Sequence, residues 1–372
     1  MANHTRAAVM WEKGKPWEVV DLGLDDPKEH EVLVRVEAAG LCHSDDHIRT
    51  GDSPPRYPVV GGHEGAGVVE KVGPGVRRAK VGDRIIIGYI PTCGVCRPCL
   101  AGKHNLCDNG LHAGTGKMFD GTFRMHSGDT DLGGFCATGT FSERIVISQD
   151  ACIPLPDDIS FELGALLGCG VPTGFGSATK TANVRPGQTV VIYGAGGIGM
   201  NAVQGAALAG AARVVVVDPN PMKRTASMDF GATHTFETHQ EAFDFVKEVT
   251  WGALAENSII TVGVTDQEVV SQAFDIIGKG GQVTLTAVGN SAHNTIVLNG
   301  NYMIGYEKRV QGSMFGSLSP LLDIPRLIDL YRQGKLKLDE LISNRYSLDQ
   351  INEGYQDLLD GKNLRGIVVR SK

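Results

Sequence analysis

Four cysteines fall within fifteen residues, in CGVCRPCLAGKHNLC at positions 93 to 107. The first three are spaced three apart, close enough for a tight turn to converge their thiolates on one ion, and the fourth follows a short excursion. Four sulfurs complete a tetrahedral zinc shell that leaves no position for a substrate. Cys93, Cys96, Cys99 and Cys107 are therefore expected to hold a structural zinc whose removal costs folding stability in this lobe. An iron–sulfur cluster is the main competing reading, since thiolates at similar spacings also ligate iron, and redox-active thiols are a lesser one.

The reactive chemistry must then lie elsewhere. Three stretches set a Cys or His beside glycines, where the backbone can approach a metal or cofactor closely: GLCHSDDH at 40–47, GGHEGAG at 61–67 and LGCGVPTG at 167–174. Two thiolates and one imidazole, from Cys42, His63 and Cys169, have the composition of a catalytic zinc site with its fourth position open. Taken singly each is weak, because a lone cysteine is more often a small buried apolar residue. Cys136 and Cys152 are assigned to that class.

The string GAGGIG, Gly194 to Gly199, fits G-x-G-x-x-G. Its setting gives it weight: it follows the apolar TVVIY, opens an amphipathic helix, and precedes Asp218 at the end of the next apolar run. In that geometry Gly194 permits the tight turn, Gly196 admits a pyrophosphate beside Gly197 and Ile198, and Gly199 lets helix and strand pack closely. The helix N-terminus donates N–H groups to phosphate. A carboxylate at Asp218 accepts from ribose hydroxyls and repels a 2′-phosphate, so NAD is favoured over NADP. Lys223 and Arg224 temper this, since a basic residue accommodates such a phosphate.

These residues must be positioned by elements that the rest of the chain supplies. A length of 372 residues predicts two domains. Up to about residue 170 the pattern is one of short strands, as in EVLVRVEAAG, where Val32, Val34 and Val36 alternate with Leu33, Arg35 and Glu37; an irregular β barrel is expected. After VRPGQ the pattern becomes apolar strand, glycine turn, helix and apolar strand, which predicts a parallel, doubly wound sheet. Helices are expected near 320–333 and 348–360, the second introduced by the capping pair Ser347 and Gln350 and stopped by Gly361. GIVVR then closes the chain as a strand. A net charge of −7 with mixed signs offers no basic face for nucleic acid and no polybasic segment for a membrane surface. No segment is long and apolar enough to span a bilayer, and MANHTRAAVMWEKGK lacks a secretory pattern, so a cytoplasmic protein with reduced cysteines is expected.

Through GLCHSD, GGHEGAG, the four-cysteine lobe, GCGVPTG, GAGGIG and Asp218, taken in order, the chain resembles the zinc-dependent medium-chain alcohol dehydrogenases along essentially its whole length. The resemblance implies a GroES-like catalytic domain from residues 1–170 and 315–372, with a Rossmann domain over 171–314 between them. It implies two zinc ions per chain, NAD(H), and an alcohol or aldehyde placed between the catalytic zinc and the nicotinamide. By position, Cys42, His63 and Cys169 match the catalytic zinc ligands, Glu64 an acidic residue that assists ligand exchange, and Asp45 the carboxylate that orients His63. Ser44 matches the residue that bonds the alcohol, and His47 the place where a proton relay ends in solvent. His43 and Arg365 match contacts to the pyrophosphate, Thr173 and Ile198 the packing of the nicotinamide ring, and Tyr89 a substrate-pocket aromatic. Assembly as a homodimer or homotetramer is part of the same implication.

Within that family, GLCHSDDHIRTGD, CGVPTGFGSA and NAVQGAALAGA look most like the actinobacterial nicotinoprotein alcohol dehydrogenases, in which nicotinamide stays bound and is recycled in place by a second substrate or electron acceptor. The long connection GKMFDGTFRMHSGDTDLGGFCATGTF is similar to that of thiol-dependent formaldehyde dehydrogenases. Leu111 and Ser53, however, stand where glutathione-dependent enzymes are expected to carry an Arg and an Asp. A zinc-free reductase or structural relative is a more distant alternative, with no need for Cys42, His63 and Cys169 together.

Overall fold

The structure, a computed structural model, describes residues 3–292 and 295–370. The chain folds into two compact units, one holding the residues up to Cys169 with Ser319–Ile324 and those from Leu338 onward, the other holding Gly170–Leu318 and Pro325–Lys337. The return to the first unit therefore comes later than the expected residue 315 and in two pieces. The reason is local: Gly316, at φ 63°, backs onto the carbonyls of Pro172 and Thr173, so closely that a side chain there would overlap them, and this turn stays with the second unit.

In the first unit the strands Asn3–Met10, Glu18–Leu24, Val59–Val60, Met125–Ser127 and Thr130–Gly134 close into a barrel. A second sheet runs in the order Cys152–Pro154, Arg84–Ile87, Gly65–Val72, Glu31–Gly40, Arg365–Val369 and Ile342–Tyr346, with Arg144–Ser148 also paired to Glu31–Gly40. The strand Glu31–Gly40 departs from simple alternation. Val32, Val34 and Val36 pack in one core with Ile48, Phe141 and Tyr355, while Leu33 packs in the barrel with Ala7, Leu22 and Leu132. The face of Val32, Val34 and Val36 is apolar throughout, whereas on the other face only Leu33 enters the barrel core and Arg35 and Glu37 stay half-buried and pair with each other. Each fully buried Val, Leu or Ile contributes about 1.5–3 kcal/mol of transfer free energy. The long connection proves to be structured: Met125–Ser127 and Thr130–Gly134 form a hairpin within it that belongs to the barrel wall.

The second unit is a six-stranded parallel sheet in the order His234–Phe236, Arg213–Val217, Thr189–Tyr193, Ala255–Ile260, Ile277–Leu285 and Arg309–Gly312. This is the doubly wound order, with the switch point at the end of Thr189–Tyr193. Val190, Val191 and Ile192 are completely buried, as continuous apolar runs in a sheet covered on both faces must be. At the chain's end, Ser347 and Gln350 form the expected capping box, but it heads a 3-10 turn, Leu348–Gln350, that runs into the helix Ile351–Leu359. No helix among the described residues is long and apolar enough to cross a membrane.

Candidate active site

The four-cysteine lobe is organised by local chain geometry. Gly94 (φ 80°) and Gly102 (φ 75°) turn the backbone on either side of a single helical turn, Arg97–Leu100, with Pro near its start. The ligand atoms of Cys93, Cys96, Cys99 and Cys107 lie within 4.8 Å of one another, and the backbone N–H groups of Cys96 and Cys93 donate to the sulfurs of Cys93 (3.4 Å) and Cys107 (3.5 Å). The backbone N–H of Asp108 lowers the Cys96 thiol to about 7, whereas burial pushes Cys107 up to about 12. A divalent cation is the charge that lets all four sulfurs be thiolates together. None of the eight cysteines is in a disulfide.

The dispersed ligands converge as closely, from three separate elements. Cys42 is the N-cap of the helix His43–Thr50; His63 follows Gly62, whose φ of 87° turns the chain against Phe141; and Cys169 is delivered by the helix Phe161–Leu167, capped by Ser160. Donor atoms of Cys42, His63, Glu64 and Cys169 lie within 4.8 Å of one another, and all four residues are buried. Asp45, one turn into its helix, accepts from the Gly62 N–H at 2.8 Å and lies 3.0 Å from His63 Nδ1. That contact leaves Nε2 of His63 as the ligand atom. Burial opposes a charged imidazole here, but Asp45 and Cys169 outweigh it and raise His63 well above its ordinary range. The negative groups that converge on this ring are those a divalent cation requires, and the donor set fits zinc. The rings of Tyr89 and Phe135 stand edge-on to His63, at 5.3 and 5.5 Å, and wall the cluster with apolar surface. Phe135 was not legible as a site residue, because nothing in its neighbourhood of the sequence marks it.

Ser44 Oγ lies 3.6 Å from Cys42 Sγ, beside the metal cluster. His47, on the same helix, is only 3% exposed and lies against Asp52. Arg365 has a partner within its own unit. Its buried guanidinium pairs with the fully buried Glu64 and supplies the counter-charge that a buried carboxylate requires. Burial raises Glu64 to about 7 while Arg365 holds it down, and Glu64 Oε1 and Arg365 Nε keep no partner of their own among the described residues. His43 is half-buried at the first position of its helix.

The second unit builds a phosphate cradle. Gly194, at φ 92°, ends the strand Thr189–Tyr193, and Gly196 caps the helix Gly197–Leu208 with open space where a Cβ would stand. A methyl on Gly199 would overlap the Gly194 carbonyl. The N–H groups of Gly197, Ile198 and Gly199 form the first turn, where an anion is favoured. Asp218 accepts from the N–H groups of Ala195 (2.7 Å) and Asn220 (2.8 Å), which lock its carboxylate while each oxygen retains a second lone pair. Arg224 spends its guanidinium on the carbonyls of Asp218 and Pro219 and on Glu237, while Lys223 is half-buried nearby. Thr173 lies on the helix Gly170–Gly176, which meets Gly197–Leu208 so closely that a Cβ on Gly174 would overlap the Ile198 carbonyl.

A GroES-like β unit with a buried Cys–His–Cys cluster, joined in one chain to a doubly wound dinucleotide unit, defines a zinc-binding dehydrogenase. Residues 28–157 match the alcohol dehydrogenase GroES-like domain and residues 197–333 the zinc-binding dehydrogenase domain. The chain is 52% identical to the NDMA-dependent alcohol dehydrogenase of Amycolatopsis methanolica over 99% of both chains. It is 51% identical to the putative alcohol dehydrogenase D of Mycobacterium tuberculosis H37Rv, covering 98% of this chain and 99% of that one. Among solved structures, benzyl alcohol dehydrogenase from Acinetobacter calcoaceticus superposes with a TM-score of 0.92 at 29% identity, covering 99% of this chain and 100% of its own. The chain belongs to the zinc-dependent medium-chain alcohol dehydrogenase family.

Proposed function

We propose that this enzyme interconverts primary alcohols, small to medium or aromatic, and aldehydes, with two zinc ions per chain and an NAD(H) that stays bound between turnovers. The observation that carries the reading is the buried Cys42–His63–Cys169 cluster with the Ser44 hydroxyl beside it. When bound, zinc supplies Lewis-acid polarisation of the alcohol oxygen and NAD supplies the hydride acceptor. Ser44 Oγ would take the hydroxyl proton, and His47 on the same helix would serve as the base beyond it. Asp45 fixes the His63 tautomer, Tyr89 and Phe135 exclude water, and the Glu64–Arg365 pair stands ready to assist ligand exchange. The cradle from Gly194 to Gly199 receives the pyrophosphate and Asp218 the ribose hydroxyls. Arg224 is engaged by the carbonyls of Asp218 and Pro219 and by Glu237, which supports NAD over NADP.

Retention of the cofactor and the need for a second substrate or electron acceptor are supported by the likeness to the NDMA-dependent relative. A thiol-adduct formaldehyde dehydrogenase is the lesser reading, because Leu111 and Ser53 provide neither a cation nor a carboxylate for glutathione. A homodimer, or a tetramer built from two, is supported by the exposed edge strand Arg309–Gly312 and the exposed Ile304 on the helix before it. Eight cysteines without a disulfide support the cytoplasm.

Absorbance and fluorescence of the dialysed protein, with its zinc content, test the reading. The expected result is two zinc ions per chain and a nicotinamide signal that disappears when aldehyde is added, or appears when alcohol is added. Two zinc ions with no nucleotide left after dialysis would replace retention with ordinary exchange.

A further inference from the structure

The helix that carries Ser44 ends at Gly51, whose left-handed φ of 75° reverses the chain. The reversal brings Asp52 back against the helix it has just left. Its Oδ2 lies 3.3 Å from His47 Nδ1 and accepts from Thr50 Oγ1 at 2.6 Å, so the carboxylate is aimed by its own turn. The Asp52 side chain is 15% exposed and that of His47 is 4% exposed, which makes the carboxylate the more wetted of the two. With Nδ1 directed at Asp52, Nε2 on the opposite edge of the ring is the atom presented as a base. Other charged groups near this pair are His43 one turn earlier, Asp46 bound to Arg49 at 2.8 Å, and Lys13, whose side chain lies over Gly51.

We infer that Asp52 is a positioning residue for proton release, holding His47 with its proton on Nδ1 and stabilising the imidazolium that forms. This rests on the dehydrogenase reading above. The step is a proton transfer alone: the O–H bond of the relay hydroxyl that reaches His47 breaks, the Nε2–H bond forms, and the imidazolium later yields its proton to water. No electrons are exchanged in this step. A carboxylate that fixes a histidine tautomer in this way acts through the histidine and has no need to take the proton itself.

The test uses the full-length holoenzyme and the variants Asp52→Asn, Asp52→Glu, His47→Gln and the Asp52→Asn/His47→Gln pair. Asp52→Asn is expected to lower kcat for alcohol oxidation about 10- to 100-fold near neutral pH, with KM little changed. Asp52→Glu should recover part of the rate. In the double variant the Asp52 substitution should add nothing to the loss from His47→Gln. Nitrogen-15 histidine spectra, with the His47 signal assigned by its absence from His47→Gln, should show the Nδ1-protonated tautomer in the wild type and a mixture of tautomers in Asp52→Asn. An unchanged His47 tautomer, or an Asp52→Asn loss that multiplies in the double variant, would overturn the inference. A wild-type protein that oxidises no alcohol would sink the dehydrogenase reading with it, whereas an active wild type with an indifferent Asp52→Asn would sink the Asp52 role alone.

Discussion

In the four-cysteine lobe every ligand comes from residues 93 to 107, whereas the other cluster draws Cys42, His63 and Cys169 from a helix cap, a loop and the end of a second helix. The first is held by its own turns, with Cys93 and Cys96 only half-buried. The second is buried throughout and depends on the sheet that spaces its three elements. The difference teaches what an ion held at each place could do. A contiguous, sulfur-saturated cluster can only hold its loop, while a dispersed one with three ligands has a neighbouring carboxylate, a hydroxyl and aromatic walls around an open position.

Substitutions in the two clusters should therefore fail differently. The largest effect is expected from Cys99→Ser: metal binding on the order of 10 kcal/mol is the folding free energy of such a lobe, so residues 93–107 should become protease-sensitive while one zinc remains. If that variant kept a protected lobe, the structural role would be wrong. Cys169→Ser should instead cost turnover 10³-fold or more, about 4 kcal/mol, with little change in the lobe's protease resistance and one zinc lost by metal analysis. Asp45→Asn leaves the ligands but removes the carboxylate at His63 Nδ1; metal affinity or activity should drop 10- to 100-fold, measured by competition with a chelator.

The smallest effect concerns Asp120, outside both clusters. Against burial, which raises it, hydrogen bonds from Thr122, Arg124 and Lys28 hold its carboxyl below the ordinary carboxylate range. A depressed folded pKa stabilises the fold above the unfolded value near pH 4 and loses that contribution as pH falls through the folded value. Asp120→Asn should therefore destabilise at neutral pH by less than about 1 kcal/mol, since the carboxylate is partly exposed and screened. The difference between variant and wild-type unfolding curves should shrink as the medium is acidified; a gap that persisted in strong acid would refute the assignment.

Much of this was legible because it is local. GAGGIG reads as a cradle since strand, turn and helix follow one another directly between Thr189 and Leu208, and Ser347 with Gln350 reads as a cap for the same reason. What depended on closure was hidden. The hairpin at Met125–Gly134 looks like a loop until its partners Glu18–Leu24 and Val59–Val60 are beside it. Leu33 looks like the exposed side of an alternating strand until the barrel covers it. Arg365 and His47 stand out only by their positions in a pattern, and the carboxylates beside them, Glu64 and Asp52, are fixed by burial and by a turn.

By itself the sequence determined the ligand chemistry, four sulfurs in one loop and a Cys–His–Cys set in three glycine-bounded stretches, together with the strand–glycine–helix signal of the dinucleotide unit. Those depend on residue type and short spacing, which are written in the chain. Only the tertiary structure decided that residues 42, 63 and 169 meet, that Glu64 is shut in with Arg365, and that His47 turns toward Asp52. Long-range convergence and the loss of water from a charge are properties of packing, and no local pattern encodes them.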